Sequence, residues 1–224
     1  MDQGKRKLAT ALLAAAAFTT TAASLRALPY AEAGDAGQTL ATAQNAGAFS
    51  GTPASITGSI SGGADADLYS FTLSAATNLQ ISAVGGTSSV YGPAPIDTSL
   101  FLFDSTGRGL LANNDQGGTS YQGQLTISLA AGTYYLGISL SGNEAVNSAN
   151  QYLFAQNGAS TDVRQPVAGV NPATLNGFDG GTTFPEAGTY AVNFASVPEP
   201  STYATLALGA VASLAFIRRR RQAA

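Results

Sequence analysis

Short runs in which apolar and polar residues strictly alternate recur through the middle of this chain. Side chains of a β-strand point alternately to its two faces, so each run predicts a strand with one buried and one wet face. Turn-forming Gly, Asn, Asp and Ser bound the runs, which lie at 69–73, 79–83, 125–129, 134–140 and 190–194. One-faced sheets bury their apolar sides against each other. The pattern therefore predicts an all-β fold, an antiparallel and jelly-roll-like β-sandwich.

Two stretches depart from this alternation. Residues 100–103 read Leu-Phe-Leu-Phe and are apolar on both sides, which predicts an interior strand covered on both faces. Residues 156–187 are rich in Gly and Pro and hold few alternating apolar positions. Such a long connection is unusual inside a compact domain, so we expect a surface excursion before the last strand. The sandwich as a whole is predicted to span residues 34–197.

The charge and residue types of this predicted domain exclude several classes of function. Residues 34–197 hold ten acidic and two basic side chains, and the resulting net charge of −8 opposes binding to nucleic acid. The same residues contain no His, Cys, Trp or Lys. This composition excludes Ser-His and Cys-His nucleophiles, Schiff-base lysines, and zinc or iron sites built on His or Cys. We therefore expect a protein that is not an enzyme.

Residues 1–33 have the composition of a secretory signal peptide. The basic stretch Lys5-Arg6-Lys7 precedes an apolar stretch at 8–18 that is too short to span a membrane comfortably. Small residues follow, and they offer signal peptidase two sites. Cleavage after Ala23 is one, and cleavage after Ala33, which ends a small-x-small sequence and would leave Gly34 first, is favoured.

The tail at 198–224, together with the residue before it, has three parts: a short motif, an apolar run at 203–217 and a basic end. The motif residues are Val197, Pro198, Glu199 and Pro200, and the basic residues are Arg218, Arg219, Arg220 and Arg221. A helix over the apolar run is roughly 22 Å long, against a hydrocarbon core of about 30 Å, so it would anchor the chain only weakly. Arginines beside an apolar segment stay cytoplasmic, so the preceding domain is expected to face outward.

These three parts resemble, in the same order, the PEP-CTERM sorting signal of Gram-negative bacteria. The resemblance implies recognition by an exosortase-type membrane protease and cleavage near the motif. It also implies transient residence in the inner membrane, followed by transfer to the cell surface or to an exopolysaccharide matrix. A plain C-terminal membrane anchor with a proline-rich stalk is the alternative that the residues leave open.

Residues 58–140 resemble a second family, the bacterial pre-peptidase C-terminal domain. The matching phrases are Gly58-Ser59-Ile60, then Asp65-Ala66-Asp67-Leu68-Tyr69-Ser70-Phe71, then the stretch from Asp97 to Asp104, then Asn113-Asn114-Asp115, and the stretch from Ala131 to Leu136. The resemblance implies a small β-sandwich of secreted proteases and surface proteins. This chain departs from the family by continuing through the Gly/Pro-rich excursion to a further strand.

Acidic and amide side chains gather at the predicted strand ends and turns, and we predict that some of them bind Ca²⁺. That ion takes roughly six to eight oxygen ligands, and the resemblance adds that some relatives of the domain bind calcium. The candidate ligands are Asp65, Asp67, Asp97, Asp104, Asn113 and Asp115. The alternative for each residue is a bond to the backbone of its own turn.

Two tyrosines, Tyr91 and Tyr121, lie in predicted loops. Exposed tyrosine rings stack on sugars or anchor a partner, and the alternative is that they cap the ends of the sandwich.

Taken together, these features predict an exported structural or adhesive protein of the cell surface or extracellular matrix. A calcium-dependent carbohydrate-binding module is one alternative. A degenerate glycan-active enzyme is another, in which Asp65 and Asp67 would flank a glycosidic bond. The absence of Trp from the domain argues against this second alternative, because sugar clefts are usually lined with stacking aromatic rings.

Overall fold

The computed structural model describes residues 29–50, 54–90, 92, 94–117, 120–156, 158–181 and 186–198. Most of the predicted signal peptide, the apolar run at 203–217 and the four terminal arginines lie outside these residues. Among the described residues, no helix combines the length and the apolarity needed to cross a membrane.

The described residues form twelve β-strands. They are β1 (Tyr30–Ala31), β2 (Gln44–Phe49), β3 (Ala54–Ile60), β4 (Ala66–Leu73), β5 (Thr77–Ser88), β6 (Thr98–Asp104), β7 (Gly109–Asn113), β8 (Gln124–Leu129), β9 (Gly132–Leu140), β10 (Ala145–Val146), β11 (Gly177–Phe178) and β12 (Gly188–Ser196).

Two five-stranded sheets face each other, and a separate two-stranded ribbon, β10-β11, packs on the outer face of the second sheet. The first sheet has the order β1-β3-β12-β5-β8 and the second has the order β2-β4-β9-β6-β7. Neighbours are antiparallel except at one edge of each sheet, where β1 runs parallel to β3 and β2 runs parallel to β4. The predicted all-β sandwich is confirmed, but its sheets are mixed. The reason is that the first four strands alternate between the sheets, so every second strand runs in the same direction.

Large apolar side chains fill the space between the sheets, and they come from the alternating positions that the sequence predicts. The buried residues include Tyr69, Phe71, Leu79, Ile81, Leu100, Leu102, Leu136, Ile138, Val192 and Phe194. The rings of Phe71 and Phe194 meet edge to face across the two sheets, with centroids 5.2 Å apart. Aromatic pairs prefer this geometry, and the pair joins the second sheet to the first.

Strand β6 is covered on both faces, as residues 100–103 predict. Its two leucines belong to the core between the sheets, whereas Phe101 and Phe103 belong to a second apolar cluster on the outer face of the second sheet. The connection between β9 and β12 supplies the other half of this cluster, chiefly Leu153, Phe154 and Leu175. The ring of Phe154 lies 5.8 Å from that of Phe101 and 5.6 Å from that of Phe103. The whole connection between β9 and β12, residues 141–187, which includes the Gly/Pro-rich excursion, is therefore a packed cover over one sheet.

An ion pair fastens the same cover. Arg164 Nη1 donates to Glu144 Oε2 at 2.6 Å, and both side chains are about nine-tenths buried. The Arg164 guanidinium also lies 5.5 Å from the centre of the Phe101 ring, a cation–π contact. These contacts join the excursion to β6 through charge as well as through apolar packing.

Candidate functional site

Strand β4 carries an aspartate into the interior of the sandwich. Asp67 shares a strand face with Tyr69 and Phe71 and is fully buried. Tyr190 of the facing sheet donates its hydroxyl hydrogen to Asp67 Oδ2 at 2.6 Å. Since that hydrogen is used, the 2.6 Å contact between the Tyr69 and Tyr190 hydroxyls is one in which Tyr69 donates. Asp67 Oδ1 is buried and has no hydrogen-bond partner.

Two further carboxylates lie beside Asp67. One oxygen from each of Asp35, Asp65 and Asp67 falls within 4.8 Å of the others. Backbone amides hold the two outer carboxylates, because Gly37 N–H donates to Asp35 Oδ1 at 2.7 Å and Ser61 N–H donates to Asp65 Oδ2 at 2.6 Å. The three side chains come from three separate parts of the chain: the segment after β1, the turn before β4, and β4 itself. We call them the Asp35–Asp65–Asp67 cluster.

A fourth carboxylate, Glu32, adds its charge to this cluster. Its Oε1 accepts from Ala36 N–H at 3.1 Å and its Oε2 accepts from Ser59 N–H at 2.8 Å, so the side chain ties the N-terminal segment to β3. Residue 58 is a glycine for a local reason. A Cβ there would collide with the Tyr190 hydroxyl and with Glu32 Oε2.

Burial and the neighbouring negative charges disfavour the ionised form of Asp67. The pKa of Asp67 is raised to about 8, chiefly by burial and further by the negative charges of Glu32 and Asp65 and a side-chain hydrogen bond with Glu32, whereas the hydrogen bond from Tyr190 lowers it. Several carboxylates around a buried oxygen without a donor are poorly stabilised by the protein alone. A hard cation with oxygen ligands would relieve both the repulsion and the missing partner. The donor set therefore fits Ca²⁺, which Asp35, Asp65 and Asp67 would bind.

The structure divides the six predicted calcium ligands among four places. Asp65 and Asp67 join the cluster above, and Asp97 and Asp115 belong to a second acidic group near the start of β6. Asp104 and Asn113 join neither group: Asp104 bonds the backbone of its own turn, as the alternative interpretation expects, whereas Asn113 bonds the backbone of distant segments.

Asp104 closes the turn after β6. Its Oδ1 accepts from Thr106 N–H at 2.8 Å, from Thr106 Oγ1–H at 2.7 Å and from Arg108 N–H at 3.0 Å. Partial burial opposes ionisation, but these hydrogen bonds and the Arg108 charge hold the pKa of Asp104 below its usual value.

Asn113 links three chain segments. Its Oδ1 accepts from Gln124 N–H at 2.8 Å, and its Nδ2 donates to the carbonyls of Thr161 and Asp162 at 3.3 Å. Both of its polar atoms are thus used to hold β8 and the excursion against β7.

Sequence reasoning missed Asp35 and Glu32. Glu32 fell within the predicted signal peptide, and Asp35 lies thirty residues before Asp65, so no local spacing relates them. The parallel pairing of β1 with β3, together with the hydrogen bond from Leu68 N–H to the Gly37 carbonyl, brings this segment to the start of β4. A tertiary contact of this kind leaves no periodic signal in the sequence.

Of the two predicted loop tyrosines, Tyr121 is 66% exposed and lines a surface depression with Ala94, Pro95 and Asp97. Tyr91 lies outside the described residues. The full burial of Asp67 leaves a sugar no access to the Asp65 and Asp67 pair, so the pair does not form the surface cleft that a glycan-active enzyme needs.

The predicted sorting motif starts directly after the last strand. Val197 N–H still donates to the Asn78 carbonyl at 2.7 Å, and Pro198 is exposed. Glu199, Pro200 and the arginines at 218–221 lie outside the described residues. The motif therefore follows the sandwich without an intervening linker.

Comparison with known proteins confirms both predicted resemblances. Residues 65–140 match the family described as the bacterial pre-peptidase C-terminal domain, and residues 196–221 match the family described as the PEP-CTERM protein-sorting motif. A solved structure, the 1.0 Å crystal structure of the pre-peptidase C-terminal domain of collagenase from Bacillus anthracis, is similar over 66% of this chain and 91% of that chain, with 16% identity and a TM-score of 0.34. No curated protein sequence matches the chain. The sorting motif marks the chain as an exported protein that an exosortase processes.

Proposed function

We propose that the protein is a non-enzymatic, structural or adhesive component of the cell surface or of an extracellular polysaccharide matrix. The observation that carries this proposal is the position of the matched sorting motif, which begins at Ser196, the last residue of β12. The complete sandwich therefore lies on the outward side of the sorting signal and is the part that is delivered. The composition of the sandwich, without His, Cys, Trp or Lys, supports a binding or scaffolding role over a catalytic one.

Delivery can be tested in the cells that make the protein. Fractionation should find the sandwich at the surface or in the matrix, and deletion of the exosortase should retain the uncleaved chain in the inner membrane. Changing Pro198, Glu199 and Pro200 together to alanine should have the same effect. Pro95→Ala, at an exposed proline of a loop, is the matched control and should leave delivery unchanged. Normal surface delivery of the triple variant would contradict the proposal.

Within this role we propose that calcium fastens the N-terminal segment to the sandwich through the Asp35–Asp65–Asp67 cluster. The supporting observation is the buried and unpartnered Oδ1 of Asp67 beside two carboxylates that backbone amides already hold in place. An ion there would link the segment after β1, the turn before β4, and β4. In an exported domain without disulfides, a bound cation would add to the stability that packing and hydrogen bonds supply.

Thermal unfolding in calcium and in chelator tests this fastening. At a free calcium concentration of about ten times the Kd, binding to the folded state stabilises it by about 1.4 kcal/mol, or roughly 3–5 °C in a domain of this size. Asp35→Asn should abolish most of this rise, and Asp162→Asn, at an exposed turn residue, should keep it. An equal calcium-dependent rise in Tm in both variants would contradict the assignment.

A second candidate function is calcium-dependent carbohydrate binding, and the depression beside Tyr121 favours it. A ring that is 66% exposed stands next to Asp97 at the surface, a combination that suits stacking on a sugar while a carboxylate bonds its hydroxyls. Binding to a glycan array should then disappear in chelator and in Tyr121→Ala. It should persist in Tyr152→Ala, whose ring is also exposed but lies in the excursion. Absence of any glycan binding would contradict this second function, and only the structural role would stand.

A further inference from the structure

A second group of buried oxygen atoms without partners lies around the start of β6. Seven buried side-chain polar atoms lack a hydrogen-bond partner among the described residues, and four of them belong to this one group. They are Asp97 Oδ1, Thr98 Oγ1, Asp115 Oδ1 and Gln122 Oε1. Buried polar atoms are nearly always paired, so four exceptions in one place need a common explanation.

Backbone hydrogen bonds gather these residues from three segments. Thr98 N–H donates to the Tyr121 carbonyl at 3.1 Å, which sets the start of β6 beside residues 121–123. Gln116 N–H donates to the Gln122 carbonyl at 2.8 Å, which brings the residues after β7 to the same place. The Asp97, Asp115 and Gln122 side chains are therefore carried on backbone that is already fixed.

The orientation of the Gln122 amide is also fixed. Its Nε2 donates to the Ile96 carbonyl at 2.5 Å and to the Tyr121 carbonyl at 3.1 Å, so the nitrogen is used and Oε1 is left without a donor. Gln122 is 7% exposed and Thr98 is fully buried. When both carboxyls are ionised, they and the amide oxygen are acceptors only and cannot pair with one another.

The group carries negative charge that no neighbouring basic residue offsets. The pKa of Asp97 is raised to about 7, chiefly by burial and then by the negative charges of Asp115 and Glu186. Glu186 is itself buried and accepts a hydrogen bond from the Ser88 hydroxyl at 2.5 Å.

The two basic side chains of the described residues are engaged elsewhere. Arg164 pairs with Glu144, and the charge of Arg108 acts on Asp104. The charge of the group is thus left for a ligand to balance.

We propose that Asp97, Asp115 and Gln122 bind a divalent cation, Ca²⁺ by the chemistry of their oxygens, at a site separate from the Asp35–Asp65–Asp67 cluster. The three unpaired oxygens supply a carboxylate, a second carboxylate and an amide, which is the ligand set of calcium sites. A bound cation would offset the burial and the mutual repulsion of the two carboxylates, because it replaces the missing hydrogen bonds.

The location of this site gives it a structural consequence. Ser139 of β9 pairs with Ala66 of β4 on one side and with Ser99 of β6 on the other, so β4 and β6 begin at the same end of the second sheet. The two sites therefore lie at one end of the sandwich, two strands apart. The second cation would also fix Gln122, the neighbour of exposed Tyr121.

Calcium titration of the secreted protein tests the proposal. After removal of metal with a chelator, isothermal titration with CaCl₂ should show two binding events in the parent protein. Asp97→Asn combined with Asp115→Asn should lose one event, and Asp35→Asn combined with Asp65→Asn should lose the other. Asp162→Asn should keep both. Retention of two events in the Asp97 and Asp115 double variant would overturn the second site.

Unfolding in chelator distinguishes the loss of a metal site from a folding defect. Removing two carboxylates from a crowded, metal-free site relieves repulsion, so this double variant should melt in chelator at the same temperature as the parent or higher. In calcium its rise in Tm should be smaller than that of the parent. A double variant that melts much lower in chelator, with an undiminished rise in calcium, would assign these residues a purely structural role.

Neither result depends on where the cell delivers the protein. Failure of the exosortase test and failure of this titration are therefore distinguishable.

Discussion

Phe154→Ala tests whether the connection between β9 and β12, residues 141–187, is part of the folded core. The Phe154 side chain is fully buried, and it packs against the rings of Phe101 and Phe103 at 5.8 and 5.6 Å. Removing a buried phenylalanine ring costs about 3–5 kcal/mol, a range that includes both the lost burial and the cavity. We therefore expect a loss of about 4 kcal/mol, or roughly 8–16 °C in Tm for a domain of this length.

Urea unfolding followed by circular dichroism measures this loss, and limited proteolysis reports whether residues 141–187 open first. Val163→Ala is the control, because Val163 lies in the same excursion but is 46% exposed, and its loss should stay within about 0.5 kcal/mol. The opening of the excursion should also expose Phe101 and Phe103, so proteolytic cleavage should accelerate in Phe154→Ala alone. A loss below about 1 kcal/mol, with no change in proteolysis, would refute the packed cover.

Three other changes test separate parts of the fold. Gly86→Ala should destabilise by about 2 kcal/mol or more in urea unfolding, because φ is +139° and a Cβ would collide with the Thr189 carbonyl; a neutral effect would contradict this backbone. Asp104→Ala should cost about 1 kcal/mol at pH 7, and the penalty should disappear as pH falls below about 4, since protonation removes the bonds that lower this pKa. Intact mass of the secreted protein should place signal-peptide cleavage before β1, as cleavage after Ala23 would; a mature chain starting at Gly34 would show that β1 is dispensable.

The last of these predictions differs from the cleavage site that the sequence pattern favours. The small-x-small pattern favours Ala33, but cleavage there would remove β1 and Glu32. Tyr30 packs edge to face on Tyr69 at 5.8 Å and donates to Gln44 Oε1 at 2.8 Å, and Glu32 holds Ser59. A cleavage pattern reads only a few neighbouring residues, so it contains no information about these distant partners.

Much of the candidate site could be predicted residue by residue but not as an arrangement. Asp65 and Asp67 are two residues apart on one strand face, so their proximity follows from local geometry. Asp97 and Asp115 are eighteen residues apart and meet because β6 and β7 pair as a hairpin. Gln122 carried no signal at all, because a glutamine in a loop is common, and only its fixed amide nitrogen shows that its oxygen is unpaired.

The sequence by itself determined the main strands, the interior place of residues 100–103 and the C-terminal sorting motif, because each depends on residues within a few positions of one another. The tertiary structure alone decided the parallel edge strands and the packing of the connection between β9 and β12 over β6. It also decided which of the six predicted calcium ligands lie in one of the two acidic groups and which two, Asp104 and Asn113, lie apart from them. Those features join residues that are far apart in the chain. Their free energy comes from burial and charge across that separation, which no window of neighbouring residues records.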